Sequence, residues 1–559
     1  MSEEHFLSPT VLLSGGPNRF NLAIERLLLH LGFSDVRVID GSGDGGGDIL
    51  GVRGSDLFIF QNKWTTGQSI SRDAVDEAET AKAKYGADRA VVATNAAPDA
   101  GATKRARRLA GVGVSIEFWT REHLPRLFEA IPTLIPSHFE LRPYQLKAVE
   151  ALQRDLREHG RGLLVLATGL GKTVIGGEVI AQHIQAHPVD DILVVAHMKD
   201  LVQQLERALW RHLPKQIRTQ LLTGDSKPVS LEGVTCATVE SALSAVYDGY
   251  RPALIMVDET HHVAEEGQFQ KLLDLTSDAG QFGVTATPWR GDRFDISSKF
   301  GEPSFKMGIA DGMAQGYLAQ VDYRLFVDDI DWDVVRQASK EGYTLKELNA
   351  KLFLPQRDET VADHLWNVWS ATRNPRAILF CRTIEHAERM ASVLARYSPV
   401  WRATTCLHSK HGKRDRDVLL SQFRLGRVPI LTAVDILNEG VDVPDVNVLA
   451  FLRVTHSRRI FVQQLGRGLR LREGKEKVAV LDFATDIRRV AAVLNLRRDL
   501  ESLRGPSEVL KLRNTSEITF TNTDVGSLMD AWIKDAASLE TAMDEARLQF
   551  PEVAQVVPL

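Results

Sequence analysis

The segment Leu163-Leu-Val-Leu-Ala-Thr-Gly-Leu-Gly-Lys-Thr173 constrains this chain more than any other. A short apolar run reads as a buried parallel strand and empties into a glycine-containing turn. After Lys172 and Thr173, the apolar residues Val174, Ile175, Val179 and Ile180 take helical spacing. Strand, turn and helix in that order form a cradle for phosphate. Amides of Thr168, Gly169 and Gly171 and the helix N-terminus face the anion, Lys172 neutralises β/γ charge, and the Thr173 hydroxyl can ligate Mg²⁺. Leu166 stands where the strict spacing of this loop has its first glycine.

Composition bounds the rest. The chain has 559 residues, enough for several domains, and 44% hydrophobic with 25% charged residues describe a globular protein. A formal net charge of −5 excludes a generally basic coat but not a basic groove. Cys236, Cys381 and Cys406 are scattered without paired spacing, which points away from a zinc site and towards a reducing compartment. With no signal peptide and no apolar run long enough to span a bilayer, we expect a cytoplasmic protein without membrane contact.

Residues 1–135 read as an α/β domain of their own. A helix over Asn21–Leu31 stops at Gly32, and strands follow at Val36–Ile39, Ile49–Val52 and Leu57–Phe60. A polar helix over Arg72–Lys84, a strand at Ala90–Thr94, a basic helix to Leu109 and a strand at Val114–Phe118 complete it. Gly43-Asp-Gly-Gly-Gly-Asp-Ile-Leu50 opens one strand and Phe58-Ile-Phe-Gln-Asn-Lys63 closes its neighbour. Period two puts Gln61 and Lys63 on one face. Asp48 can hold a divalent cation, with the Asn62 carbonyl as a second oxygen, and Lys63 can activate water and stabilise phosphorane charge.

These motifs resemble the Mrr-like branch of the PD-(D/E)xK restriction-endonuclease family. The resemblance implies a catalytic set of Glu25, Asp48, Gln61 and Lys63, with metal (Mg²⁺ or Mn²⁺) on Glu25 and Asp48. Gln61 replaces the commoner acidic ligand, so Glu25 would have to supply the second charge. The competing reading keeps the fold as a DNA-binding module without cleavage. Ile131-Pro-Thr-Leu-Ile-Pro136 reads as a linker.

Further along, Gln145 stands one helix ahead of the phosphate loop, where its planar amide can read adenine. Ala253-Leu-Ile-Met-Val-Asp-Glu259 delivers two carboxylates at a strand's C-terminal edge. Asp258 would hold the Mg²⁺ shared with Thr173, and Glu259 would polarise the attacking water. Gly283-Val-Thr-Ala-Thr-Pro288 supplies hydroxyls for the γ-phosphate, while Ile430–Pro444 resembles a motif of superfamily 2 helicases, and that resemblance implies that Gly440 and Asp442 help close the nucleotide site. In Gln463-Gln-Leu-Gly-Arg-Gly-Leu-Arg470, Arg467 and Arg470 lie three apart on one helical face, suited to reach γ-phosphate across a cleft.

From Phe139 to Phe483 the chain resembles superfamily 2 DExH helicases and translocases, near the motor subunits of type I and type III restriction systems. The resemblance implies an α/β chain: an endonuclease-like domain, then RecA-like lobe 1 (136–322), a helical connector (323–370), RecA-like lobe 2 (371–487) and a C-terminal helical segment (488–559). ATP closing the lobes and hydrolysis opening them would move DNA, duplex or single-stranded, stepwise. The expected function is an ATP-dependent translocase coupled to a metal-dependent DNA endonuclease in bacterial restriction or anti-phage defence. No methyltransferase segment is visible, so protective modification would come from a defence-system partner protein. Two alternatives remain: a repair or remodelling helicase whose first domain only binds DNA, and an RNA helicase.

Overall fold

Three sheets organise the chain, and the direction of their strands decides where chemistry can occur. The computed structural model describes residues 5–39, 47–136, 140–228, 230–260, 267–286, 297–326, 358–434, 446–452, 477–483 and 517–520.

The first domain holds β1 (Ser34–Val38), β2 (Ile49–Arg53), β3 (Asp56–Lys63), β5 (Arg89–Thr94) and β7 (Ile116–Trp119) in that spatial order, with a small β4 (Ser69–Ile70)–β6 (Ala97–Pro98) pair beside them. β1, β2 and β3 pair antiparallel, whereas β3, β5 and β7 are parallel. Helices α1 (Pro9–Ser14), α2 (Gly16–His30) and α5 (His123–Ala130) lie on one face; α3 (Arg72–Tyr85) and α4 (Ala100–Ala110) lie on the other. The alternation within β3 sets this up: Leu57 and Ile59 join the core of α3, while Phe60 joins that of α2. Ser71 and Asp99 cap α3 and α4 through the amides of Asp73 and Ala102.

The second sheet runs β10 (Thr219–Leu222), β11 (Val234–Thr238), β9 (Ile192–Ala196), β12 (Leu254–Asp258), β13 (Gly280–Thr285), β8 (Arg161–Leu166), β14 (Pro303–Met307), all parallel. Its inner strands are buried on both faces, as continuous apolar runs require. Leu164, Val194 and Met256 pack under α6 (Pro143–His159), α7 (Lys172–Ala186) and α8 (Lys199–Leu209). Leu163, Val195 and Val257 pack under α9 (Val239–Tyr247) and α10 (Gln268–Leu275).

The third sheet is also parallel, in the order β17 (Thr405–Leu407), β18 (Ile430–Ala433), β16 (Ala377–Phe380), β19 (Val448–Phe451), β20 (Lys477–Asp482), β15 (Gln320–Leu325), β21 (Glu517–Phe520). Three expectations change here, the first being that β21 joins this sheet from within residues 488–559, expected to be a helical segment. The boundary expected between 322 and 323 falls inside β15, which pairs with β20 in this second lobe. The helix Asp358–Ala371, expected in a connector, buries Val361, Leu365 and Trp369 in the same lobe's core. Apolar periodicity identifies these elements but not the sheet they join.

The first domain is docked on both lobes. On lobe 1, α2 and α8 exchange charges: the Glu25 carboxylate pairs with Arg207, and Arg26 donates to the carbonyls of Ile217 (2.9 Å) and Pro214 (3.0 Å). Arg26 is fully buried beside Phe6 and Trp210, and burial pulls its guanidinium down to about 10. Lys215 donates to the carbonyls of Phe128 (2.7 Å) and Ile131 (2.9 Å), so the expected linker is strapped to the lobe. On lobe 2, Arg424 of the helix Lys413–Arg424 pairs with Asp35, and Val418 and Leu425 pack on the first domain's core.

Within this interface Glu206 is fully buried and accepts from Thr219 at 2.8 Å. Burial, reinforced by Glu25, pushes its carboxyl up to about 7 against the pull of Thr219 and Arg207. An unfolded glutamate titrates near ~4.3, so between that pH and about 7 the native state binds more protons and stability falls as pH rises. Glu206→Gln is expected to remove a pH-dependent loss of up to about 3 kcal/mol. Thermal melts at about pH 5 and about pH 8 should show a smaller decline in the variant than in the wild type.

Candidate functional site

The phosphate loop follows β8 at the C-terminal edge of the lobe 1 sheet. Thr168 and Gly169 form the turn, and α7 begins at Lys172 with Gly171 as its N-cap. Gly171 has φ +87°, and a Cβ there would stand 2.6 Å from Gln145 Nε2. Only glycine satisfies both demands. The loop is held from behind: Tyr144 Oη and Gln145 Nε2 both donate to the Leu170 carbonyl, at 2.6 and 3.2 Å. Gln145 Oε1 accepts from the Arg142 amide at 2.9 Å, and the residue is buried. Its amide, expected to read adenine, is thus engaged on the loop and on its own helix start.

β12 delivers Asp258 to the same edge, opposite Val284 of the neighbouring β13, whose next residue, Thr285, pairs with Val165 of β8. Three strand ends therefore meet. Lys172 Nζ lies 3.2 Å from Glu259 Oε1, and Thr173 follows it in the first turn of α7. Glu259 has φ +49°, an uncommon left-handed conformation for a side-chain-bearing residue, and functional sites are where such strain concentrates. Burial, and then Glu259, push the Asp258 carboxyl upward, with Lys172 opposing. A divalent cation is the counter-charge that would relieve this. Among the described residues no group of three or more His, Cys, Asp or Glu side chains is arranged to hold a metal. Gly440, Asp442, Gln463, Arg467 and Arg470 lie outside the described residues.

In the first domain, Asp48 precedes β2 and is buried; its Oδ2 accepts from the Asn62 amide at 2.5 Å. Gly47, just before it, passes so close to β3 and α3 that a Cβ would stand 2.8 Å from Ile59. Gln61 and Lys63 lie on the α3 side of β3, as period two requires. Gln61 Oε1 is a buried acceptor with no donor among the described residues, an oxygen suited to a hard cation together with Asp48 and the Asn62 carbonyl.

Glu25 does not join that set. Expected to bring the second charge, it stands on the α2 side of the sheet, with its Oε2 3.1 Å from Arg207 Nη2. Asn21, one turn earlier, takes the place next to this end of β3: its Oδ1 accepts from Asn62 Nδ2 at 2.9 Å. Sequence reasoning also missed Glu77 of α3, whose Oε2 lies 2.5 Å from Lys63 Nζ. Its signal was present in the β3–α3–β5 crossover, which lays α3 over the face carrying Lys63.

Comparison with known proteins agrees with this division. The chain matches the family described as "Restriction endonuclease" over residues 12–128, "Type III restriction enzyme, res subunit" over 138–290 and "Helicase conserved C-terminal domain" over 356–472. It is 27% identical over 397 residues to a Schizosaccharomyces pombe protein named as a mitochondrial ATP-dependent helicase, covering 69% of this chain and 63% of that protein. It is 26% identical over 377 residues to the endonuclease subunit of the type I restriction enzyme EcoAI of Escherichia coli, covering 61% of this chain and 46% of that subunit. In fold it is similar to the DNA-bound ATP-dependent type ISP restriction-modification enzyme LlaBIII, with TM-score 0.55, 17% identity, 93% of this chain and 41% of that one. The chain spans less than two thirds of the length of each. No helix among the described residues is long and apolar enough to cross a membrane.

If Glu25 serves docking, removing its partner costs stability. Arg207→Ala should destabilise the protein by about 2 kcal/mol, less than the ~3–5 kcal/mol of a broken, fully buried pair because Arg207 keeps 28% side-chain exposure. A chemical-denaturation midpoint equal to wild type would count against this role.

Proposed function

From a chain that joins an Mrr-like restriction endonuclease domain to a helicase region of superfamily 2 DExH type, we propose an ATP-driven DNA translocase that also cuts DNA, acting in restriction or anti-phage defence. The observation that carries the motor reading is the Lys172–Glu259 pair at 3.2 Å, set between the phosphate loop and buried Asp258. With nucleotide bound, Lys172 turns to the β/γ-phosphates and releases Glu259 to orient the attacking water. Mg²⁺ on Thr173 and Asp258 would screen phosphate charge. Arg467 and Arg470 are the residues we assign to complete the site from lobe 2, with Gln463, Gly440 and Asp442 beside the nucleotide. Gln145 keeps the phosphate loop in shape.

The nuclease reading rests on Asp48, Gln61 and Lys63 at neighbouring strand ends. A divalent cation held by Asp48 and the Gln61 oxygen would polarise a backbone phosphate, and Lys63 would stabilise the charge that develops. DNA contact is supported by α4, where the exposed Lys104, Arg107 and Arg108 stand on one face of the helix and form no ion pair among the described residues. Cations arranged along one helix suit phosphates rather than base edges. A partner protein supplying protective modification belongs to the same reading.

Lys172→Ala and Glu259→Gln are each expected to lower DNA-stimulated ATP turnover by about a hundredfold or more, with nucleotide binding kept in Glu259→Gln. Full turnover in either variant refutes the motor site. Circular duplex DNA incubated with Mg²⁺ or Mn²⁺, with and without ATP, should be cut by the wild type and not by Lys63→Ala. Absence of cutting by the wild type would favour a first domain that only binds DNA, the reading that the diversion of Glu25 to Arg207 also supports.

A further inference from the structure

Lys63 needs a fixed position if it is to meet a phosphate, and a lysine is a flexible point charge on a long stem. β3 offers one face to α2 and the other to α3. Leu57 and Ile59 pack with Val75 and Ala78 of α3, so Gln61 and Lys63, two and four residues beyond Ile59, continue along the α3 face. Glu25 is on the opposite face and is bound to Arg207. It cannot orient Lys63.

The acidic residues of α3 are divided. Asp76 and Glu79 pair with Arg105 of α4, at 2.6 and 2.5 Å, and Asp76 also pairs with Arg72 at 2.9 Å. These contacts bind α3 to α4 and direct Asp76 and Glu79 away from the sheet edge. Glu77, between them, points instead to Lys63, with Oε2 2.5 Å from Nζ. The pair is half-buried, with 34% and 39% side-chain exposure, and thus accessible to DNA. We propose that Glu77 is the positioning residue for Lys63: it holds the ammonium at the end of β3, beside Asp48 and Gln61, so that the charge is in place before DNA arrives. This rests on reading the first domain as a metal-dependent nuclease. A helix on the far side of Lys63 from α2 thereby supplies the second acid of the site, in place of the diverted Glu25.

The test uses full-length wild type, Glu77→Ala, Glu77→Gln and Glu77→Asp, with a thermal melt to confirm folding. One readout is the rate at which Lys63 is acylated by an amine reagent, followed by peptide mass spectrometry. Loss of the pair should raise labelling about threefold in the alanine and glutamine variants, the scale of a partly exposed ion pair, with Glu77→Asp near wild type. The second readout is cleavage of duplex DNA with Mg²⁺, beside DNA affinity. Cleavage should fall about tenfold or more in Glu77→Ala while affinity stays within about twofold, and Glu77→Asp should rescue it. Unchanged labelling overturns the pair. Raised labelling with unchanged cleavage overturns the positioning role. A wild type that does not cut removes the nuclease reading and the role with it, and the wild-type control identifies that case.

Discussion

Parallel strands cannot be joined by tight turns, and that constraint arranges lobe 1. Each strand of the lobe 1 sheet must be followed by a crossover, so the C-terminal ends of β8, β12 and β13 open onto one edge. Lys172 is far in sequence from the adjacent Asp258 and Glu259, yet they meet because β8 and β12 both end at that edge. Apolar burial on both sheet faces leaves the edge as the place for charge. The strained backbone of Glu259 and the upward push on Asp258 show that the charges are held there at a cost.

A second concentration of charge lies between the first domain and lobe 1. Glu25 and Arg26 on α2 face Glu206 and Arg207 on α8, with Trp210 and Thr219 completing the hydrogen bonding. Burying Glu25, Arg26 and Glu206 is expensive unless they find partners, and the exchange makes the docking depend on a specific alignment of the two helices. Among the described residues, lobe 2 meets the first domain through Asp35 and Arg424 and through Val418 and Leu425.

How much was legible depended on the distance over which a residue finds its partner. The loop around Gly171, the carboxylates after β12, and the shared face of Gln61 and Lys63 follow from local periodicity, and each stands where the pattern puts it. β21 falls within residues 488–559, expected to be helical, and its place at the sheet edge beside β15 was not readable. Gln145 was expected to read adenine, but its hydrogen bonds run to Leu170 of the phosphate loop and to Arg142. Glu25 bonds a residue 182 positions away, and Glu77 was passed over in a helix that read as merely polar.

By itself the sequence determined the strand–turn–helix cradle, the alternation of sheets and helices, and the residue types at the two candidate sites. These depend on backbone geometry and apolar spacing over a few residues, which a chain carries wherever it folds. Only the tertiary structure decided which sheet β15 entered, that the first domain grips both lobes, and that α3 rather than α2 brings an acid to Lys63. A carboxylate is chemically the same on either side of a sheet. What it does is settled by the charge it meets, and Arg207 reached Glu25 only because two distant helices packed together.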